Sequence, residues 1–144
     1  MIAIDTNILV YAHREDADWH APAAAAVAGL AEGAPPWSIP WPCVHEFLAI
    51  VTHPRIFRTP TPLAEALGQV DAWLESPSIV VLSENDDYLE TFRRVVLRSR
   101  AAGARIHDAR VAALCLSHAV RELWTADRDF SIFPGLKLHN PLVA

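Results

Sequence analysis

The sequence predicts an α/β sandwich of three layers, in which a mostly parallel central sheet is flanked by helices. Short apolar runs alternate with longer stretches of helical periodicity along the chain, the pattern of strands joined by helical crossovers. The 144 residues are 52% hydrophobic and 20% charged, enough to bury one core and too apolar for disorder, so a single domain over 1–144 is expected. Carboxylates follow two of the apolar runs, and sheets of this class bind ligands outside the carboxyl ends of their strands, where the strand order reverses.

Ile2 to Asp5 is a short apolar run ending in a carboxylate, and Asn7 to Tyr11 continues it as a first helix. Asp18 is expected to cap a second helix with Pro22 in its first turns, ending between Gly29 and Gly33. After the connector Ala34-Pro35-Pro36, Trp37 to Pro40 reads as a strand. Pro42 then opens a helix to about Thr52, with Val44, Phe47, Leu48 and Val51 toward the core, and His53-Pro54 stops it. Arg55 to Pro62 is a loop, and Thr61 is expected to cap a helix ending near Glu75. The uninterrupted apolar run Ile79 to Leu82 predicts a strand covered on both faces. Glu84 to Asp87 places acidic groups at the head of a long helix whose arginines lie near its end, matching the helix dipole, with Gly103 as its expected terminator. Asp108 is expected to begin a helix carrying Ala109, Ala112, Ala113 and Leu116. A strand over Glu122 to Thr125 and a last edge strand over Leu136 to Leu138 complete the reading.

Charge and composition narrow the function classes. The formal net charge is -5, from 12 basic and 17 acidic residues, which disfavours nonspecific coating of DNA. Arg93, Arg94, Arg98, Arg100, Arg105 and Arg110 supply half of the 12 basic residues. Lys137 is the one lysine, which limits mechanisms that need a catalytic amine. Cys43 and Cys115 are too few and too far apart for a disulfide scaffold or a cysteine zinc site, and both are expected to be small buried hydrophobes. No apolar run reaches the ~20 residues of a membrane helix. Met1 to Asp5 lacks the basic start of a signal peptide, so the cytoplasm is the expected compartment.

Five carboxylates stand in unusual places. Asp5 ends the first strand, where it can cap the helix that starts at Thr6-Asn7 or serve chemistry. Glu46 falls in the first turn of the Pro42 helix, in line with Cys43, Ala49 and Ile50, and is expected to face inward along an apolar stripe. Asp108 shares its face with Ala112, Cys115 and Ala119, and can be an N-cap or a functional group. Asp127 and Asp129 follow the Trp124-Thr125 strand, at the same end of the sheet as Asp5 if the two strands are parallel. Like charges converging on one crevice need cations, and hard oxygen ligands favour Mg²⁺ or Mn²⁺ over Zn²⁺. These five carboxylates equal the formal net charge of -5, so overall acidity does not exclude a polyanionic substrate.

Met1-Ile2-Ala3-Ile4-Asp5-Thr6-Asn7, Glu46 in a mid-chain helix, His107-Asp108-Ala109, and Thr125-Ala126-Asp127-Arg128-Asp129-Phe130 together resemble PIN-domain ribonucleases, specifically the VapC-type toxins of bacterial toxin–antitoxin pairs. The resemblance extends over essentially the whole chain, to the tail around Asn140-Pro141-Leu142. It implies a PIN-like sandwich and an acidic quartet of Asp5, Glu46, Asp108 and Asp127, with Asp129 as a possible fifth member. Thr6, Asn7 and Thr125 match the polar positions that orient the quartet. The implied activity is hydrolysis of structured RNA, of the transfer or ribosomal class, with Mg²⁺ or Mn²⁺ held by Asp5, Asp108, Asp127 and Asp129. It would leave 5′-phosphate and 3′-hydroxyl ends. The resemblance also implies a homodimer and a cognate antitoxin whose tail blocks the crevice, often with an arginine. Candidate RNA contacts are Arg55 and Arg58 on the proline-rich loop, His107, Arg110 and Arg128. Trp37, Trp41 and Trp124, in or beside strands, are expected in the core.

Other readings fit less well. Dehalogenase-like phosphatases want a second aspartate where Asn7 stands and a lysine before the last acidic pair, and receiver domains want an aspartate where Ser83 follows the third strand. A noncatalytic binding protein, with its carboxylates serving as caps and turns, is the alternative from another class.

Overall fold

The computed structural model describes residues 1–143. Among them, five strands form one parallel sheet: β1 (Ile2–Ile4), β2 (Trp37–Pro40), β3 (Ile79–Leu82), β4 (Glu122–Trp124) and β5 (Lys137–His139). Their spatial order is β3-β2-β1-β4-β5. Six helices connect them: α1 (Thr6–His13), α2 (His20–Glu32), α3 (Trp41–Val51), α4 (Leu63–Leu74), α5 (Tyr88–Ser99) and α6 (Arg105–Ser117). A short 3₁₀ turn, Arg128–Ile132, lies between β4 and β5. The chain adds β2 and β3 on one side of β1, then crosses back to place β4 on the other. Right-handed crossovers therefore put α1 to α4 on one face and α5 with α6 on the opposite face. Helix contacts follow that division, with α1 against α2 and α3, α3 against α4, and α5 against α6. The expected three-layer sandwich is the observed one, and its sheet is wholly parallel.

The core is built where the apolar runs predict it. Ile4, Ile39 and Leu123 from the central strands are fully buried with Ile8, Leu9, Phe47 and Leu114 from the helices, each contributing about 1.5–3 kcal/mol relative to exposure. Cys43 and Cys115 are both buried free thiols, as expected. No helix among the described residues is long and apolar enough to cross a membrane.

Several local expectations are corrected. Asp18 does not cap α2: the helix starts at His20 behind Trp19, without a side-chain cap, and His20 Nδ1 instead meets the Tyr11 carbonyl at 2.9 Å. Thr61 does not cap α4 either, because its hydroxyl is taken by His13 Nε2 at 3.1 Å and by Arg14 at 3.3 Å. At Thr61, tertiary partners outcompete the local cap. Helix α5 ends at Arg100, in a left-handed conformation with φ 57°, three residues before Gly103, which makes the next turn at φ 60°. Strand β3 is an edge, with Val80 40% exposed, so its apolar run is not covered on both faces. Leu48 is half-buried, and of the three tryptophans expected in the core Trp37 is there, Trp124 is half-buried and Trp41 is exposed.

Candidate active site

The crevice predicted by the topology opens between the carboxyl ends of β1 and β4, where the strand order reverses. It is a cleft of about 600 Å³ whose lining includes the carboxylates of Asp5, Glu46, Asp108 and Asp127. Each comes from a different element: the end of β1, the second turn of α3, the first turn of α6 and the turn after β4.

Asp5 is the most constrained of them. Ile2 to Ile4 run through the centre of the sheet, and the Asp5 backbone N–H continues the ladder by donating to the Trp124 carbonyl at 3.0 Å. The residue is only 6% exposed. Its Oδ1 accepts from the Thr6 backbone N–H at 2.8 Å, which caps α1, and from Cys43 Sγ at 3.6 Å. Its Oδ2 accepts from Thr125 Oγ1 at 2.7 Å and from Asn7 Nδ2 at 3.2 Å. All four donors are neutral. Burial pushes the Asp5 carboxyl up to about 6 from its ordinary 3.8, with the bonds from Thr125 and Thr6 opposing the rise and the nearby charge of Glu46 adding to it.

Asn7 and Thr125 clasp the two strand ends together. Asn7 Nδ2 also donates to Thr125 Oγ1 at 3.1 Å, and Asn7 Oδ1 accepts from the Ala126 N–H at 3.1 Å. Thr125 Oγ1 further accepts from the Asp127 N–H at 2.9 Å. Asp127 Oδ1 accepts from the Asp129 N–H at 2.8 Å and so starts the 3₁₀ turn. The polar residues singled out in the sequence thus form one network around Asp5.

Glu46 and Asp108 differ from their expected settings. Pro40 ends β2 and Trp41-Pro42 begins α3, so Glu46 lies in the second turn and is exposed to the cleft instead of facing inward. Ala49 and Ile50 of the same stripe line the cleft as well, while Cys43 lies beneath it. The stripe was legible, but the surface it covers is an open crevice. Glu46 Oε2 accepts from Thr6 Oγ1 at 3.2 Å. Helix α6 begins three residues before Asp108, behind Ala104, so Asp108 is no N-cap. Its carboxyl is raised by burial first and then by the charge of Asp127.

The remaining residues divide. His107 and Arg110 line the cleft, and Arg110 also pairs with Glu84 at 3.0 Å. Arg55, Arg58 and Arg128 are exposed and are not part of its lining. Asp129 is exposed and turned to Arg105, with 3.4 Å between carboxylate and guanidinium, and it too is outside the lining. Sequence reasoning passed over His45, which lines the cleft; its place beside Glu46 on the α3 stripe was the available signal.

No group of three or more His, Cys, Asp or Glu side chains among the described residues stands close enough, as placed, to hold an ion. The chemistry of the donor set nevertheless fits a hard divalent cation. The cleft gathers oxygen ligands whose charges raise one another's proton affinity, with Glu46 acting on Asp5 and Asp127 on Asp108, and a divalent cation would relieve that repulsion.

Residues 2–136 match the PIN domain family. The chain is 34% identical over 142 residues to "Ribonuclease VapC43" of Mycobacterium tuberculosis, covering 99% of this chain and 96% of the relative. It is 30% identical over 141 residues to "Ribonuclease VapC31" of the same organism, covering 98% and 99%. Among solved structures, VapBC2 from Rickettsia felis, bound to a DNA fragment from its promoter, superposes with a TM-score of 0.68 at 19% identity, covering 97% of this chain and 98% of that one. Mycobacterium tuberculosis VapC20, described as a sarcin-ricin loop cleaving toxin, gives 0.66 at 18% identity, covering 95% and 99%. With its acidic cleft at the reversal of strand order and its full-length match to these relatives, the chain belongs to the PIN-domain family, among the VapC ribonucleases.

Proposed function

We propose that this protein is the toxin of a toxin–antitoxin pair, a divalent-metal-dependent endoribonuclease that hydrolyses phosphodiester bonds in structured transfer or ribosomal RNA. The observation that carries the reading is the convergence of Asp5, Glu46, Asp108 and Asp127, from four separate elements, on one cleft. The names of the relatives support ribonuclease activity, and the description of VapC20 supports structured RNA as the substrate class.

Asp5, Asp108 and Asp127 would hold one or two Mg²⁺ or Mn²⁺ ions. Such ions supply Lewis-acid polarisation of the phosphodiester and a lowered pKa for water. The protein's part is positioning. Thr6, Asn7 and Thr125 fix both oxygens of Asp5, so its carboxylate meets its ligand without reorganising. Glu46, steadied by Thr6, orients the attacking water and accepts its proton. His107 and Arg110 contact the RNA strand. Arg110 can leave Glu84 at small cost because both members of that pair are more than 40% exposed. Attack by water on the phosphorus with cleavage of the P–O3′ bond, the departing 3′ oxygen taking up a proton, gives 5′-phosphate and 3′-hydroxyl ends. A homodimer is part of the proposal. So is a cognate antitoxin whose inserted guanidinium would compete with metal for the same carboxylates.

The test is end-mapping of total bacterial RNA incubated with antitoxin-free protein and Mg²⁺ or Mn²⁺, beside EDTA and Asp5→Asn controls. Discrete cuts with 5′-phosphates, lost in both controls, are expected. Cleavage that persists with EDTA or in the Asp5→Asn protein would overturn the metal mechanism, and no cleavage under any condition would favour a noncatalytic binding protein.

A further inference from the structure

Trp41 is out of place for a core residue. It opens α3 and is 38% exposed, although Trp37, four residues earlier, is wholly buried. Its indole lies against the imidazole of His45, with ring centroids 6.1 Å apart and planes 25° from parallel. The two residues are one helical turn apart, the spacing that lets side chains meet on a helix surface. His45 in turn lines the cleft beside Glu46. The pair forms an aromatic ledge that begins at the exposed start of α3 and runs to the wall of the acidic crevice.

Electrostatics says what such a ledge is for. Four carboxylates line the cleft, and its one arginine, Arg110, is paired with Glu84. An RNA strand brings further negative charge, so the side chains of the α3 wall cannot attract it by charge. Stacking on an aromatic face works without charge and accepts any base, because every base presents a π-face. An indole stacked against a second ring and left partly in water at the rim is suited to it.

We propose that Trp41, backed by His45, is a nucleobase-stacking subsite that holds a base of the single-stranded segment flanking the scissile phosphate. The proposal rests on the ribonuclease reading above and deepens it by naming how the strand is gripped on the α3 side. A protein side chain seated on the same ledge is the competing occupant.

The test separates binding from cleavage. The probe is a fluorescein-labelled single-stranded RNA of random sequence, titrated by anisotropy into the full-length Asp5→Asn protein and, in parallel, into wild type with EDTA. Trp41→Ala is expected to weaken binding about tenfold, whereas Trp41→Phe, which keeps a ring, stays within about threefold. Stacking also quenches indole emission. RNA lacking the label should therefore quench tryptophan fluorescence in the parent, and that quench should largely vanish in Trp41→Phe although binding survives. A merely structural role for Trp41 would leave the quench in place. Unchanged affinity in Trp41→Ala, or an undiminished quench in Trp41→Phe, overturns the stacking subsite while leaving the ribonuclease reading intact. If neither background binds RNA and wild type with Mg²⁺ or Mn²⁺ also cleaves none, the ribonuclease reading falls and the subsite with it; if neither binds but metal-loaded wild type cleaves, the subsite alone is overturned.

Discussion

The two ends of α1 each bury a charge, and they do so in opposite ways. At its start Asp5 is 6% exposed and receives four hydrogen bonds, every one from a neutral donor. Just past its end Arg14 is 9% exposed and is fully answered. Its guanidinium pairs with Asp16 at 2.6 Å, donates to the Thr59 carbonyl at 2.8 Å, and sits 4.0 Å over the ring of Phe57. A buried charge that is matched holds structure together, here by tying the 52–62 loop to α1. A buried charge left without a counter-ion is costly, and a site that binds cations is where such a cost is retained.

Substitution at Asp5 should therefore separate activity from stability. Asp5→Asn keeps an acceptor oxygen for Thr125 and removes the charge; its amide NH2 faces the Thr6 N–H and gives up that cap, a loss that relief of the buried charge offsets. Cleavage should fall about a thousandfold or more, while the metal-free protein at neutral pH unfolds at a denaturant concentration equal to or above that of wild type. An Asp5→Asn protein that loses both activity and stability would make Asp5 a structural cap, no different in kind from Arg14.

Arg14→Ala should show the reverse. Its loss leaves the Thr59 carbonyl without its donor and uncovers Phe57, for a cost of about 2–3 kcal/mol by denaturant unfolding. Cleavage per folded molecule should stay within about twofold. Asp16, 61% exposed at its side chain, should be worth less than about 1 kcal/mol on its own. A larger loss in Asp16→Ala than in Arg14→Ala would show that the ion pair, and not the loop anchor, is what matters there.

The same contrast has a pH signature. The folded-state pKa of Asp5, about 6, lies above its ordinary 3.8. Between those values the folded chain holds more protons at this site than the unfolded one, so the site's contribution to stability falls as pH rises through the window. The stability difference between metal-free wild type and Asp5→Asn should shift toward the variant by about 2–3 kcal/mol between pH 4 and 6.5, then level off. A difference that stays flat over that range would mean that Asp5 is not strained by burial.

What could be read in the sequence follows from the range of the forces involved. The parallel sheet and the place of the acidic cleft were legible, because strand-end carboxylates and helical stripes are local signals with few solutions, whereas the polar positions around Asp5 came only from the resemblance to PIN-domain ribonucleases. The stripe of Glu46 was visible too, but no pattern along one helix distinguishes a core from the wall of a crevice. Arg14 was illegible: Phe57, Thr59 and Thr61 are more than forty residues away in sequence. Those same contacts explain why Thr61 fails to cap α4. Trp41 was misplaced for a related reason, since proximity to a strand predicts burial only when an element covers that strand end.

The smallest expected effect concerns the pair that sequence alone could not separate. Asp127 and Asp129 sit two residues apart in one acidic turn, yet Asp127 lines the cleft and Asp129 faces Arg105. Asp127 also caps the 3₁₀ turn through Oδ1, so its removal by alanine would confuse a local structural loss with a lost charge. Asp127→Asn keeps an acceptor oxygen for that cap and removes the charge alone. It should cost well over tenfold in cleavage with little change in unfolding. Asp129→Asn breaks an exposed 3.4 Å pair with Arg105, worth less than about 1 kcal/mol. Cleavage should stay within about threefold, because the Arg105 guanidinium still donates to the Asp129 backbone carbonyl at 3.3 Å and stays beside the turn. A collapse of activity in Asp129→Asn equal to that in Asp127→Asn would place both carboxylates on the bound cation, and would require the Arg105 pair to open when it binds.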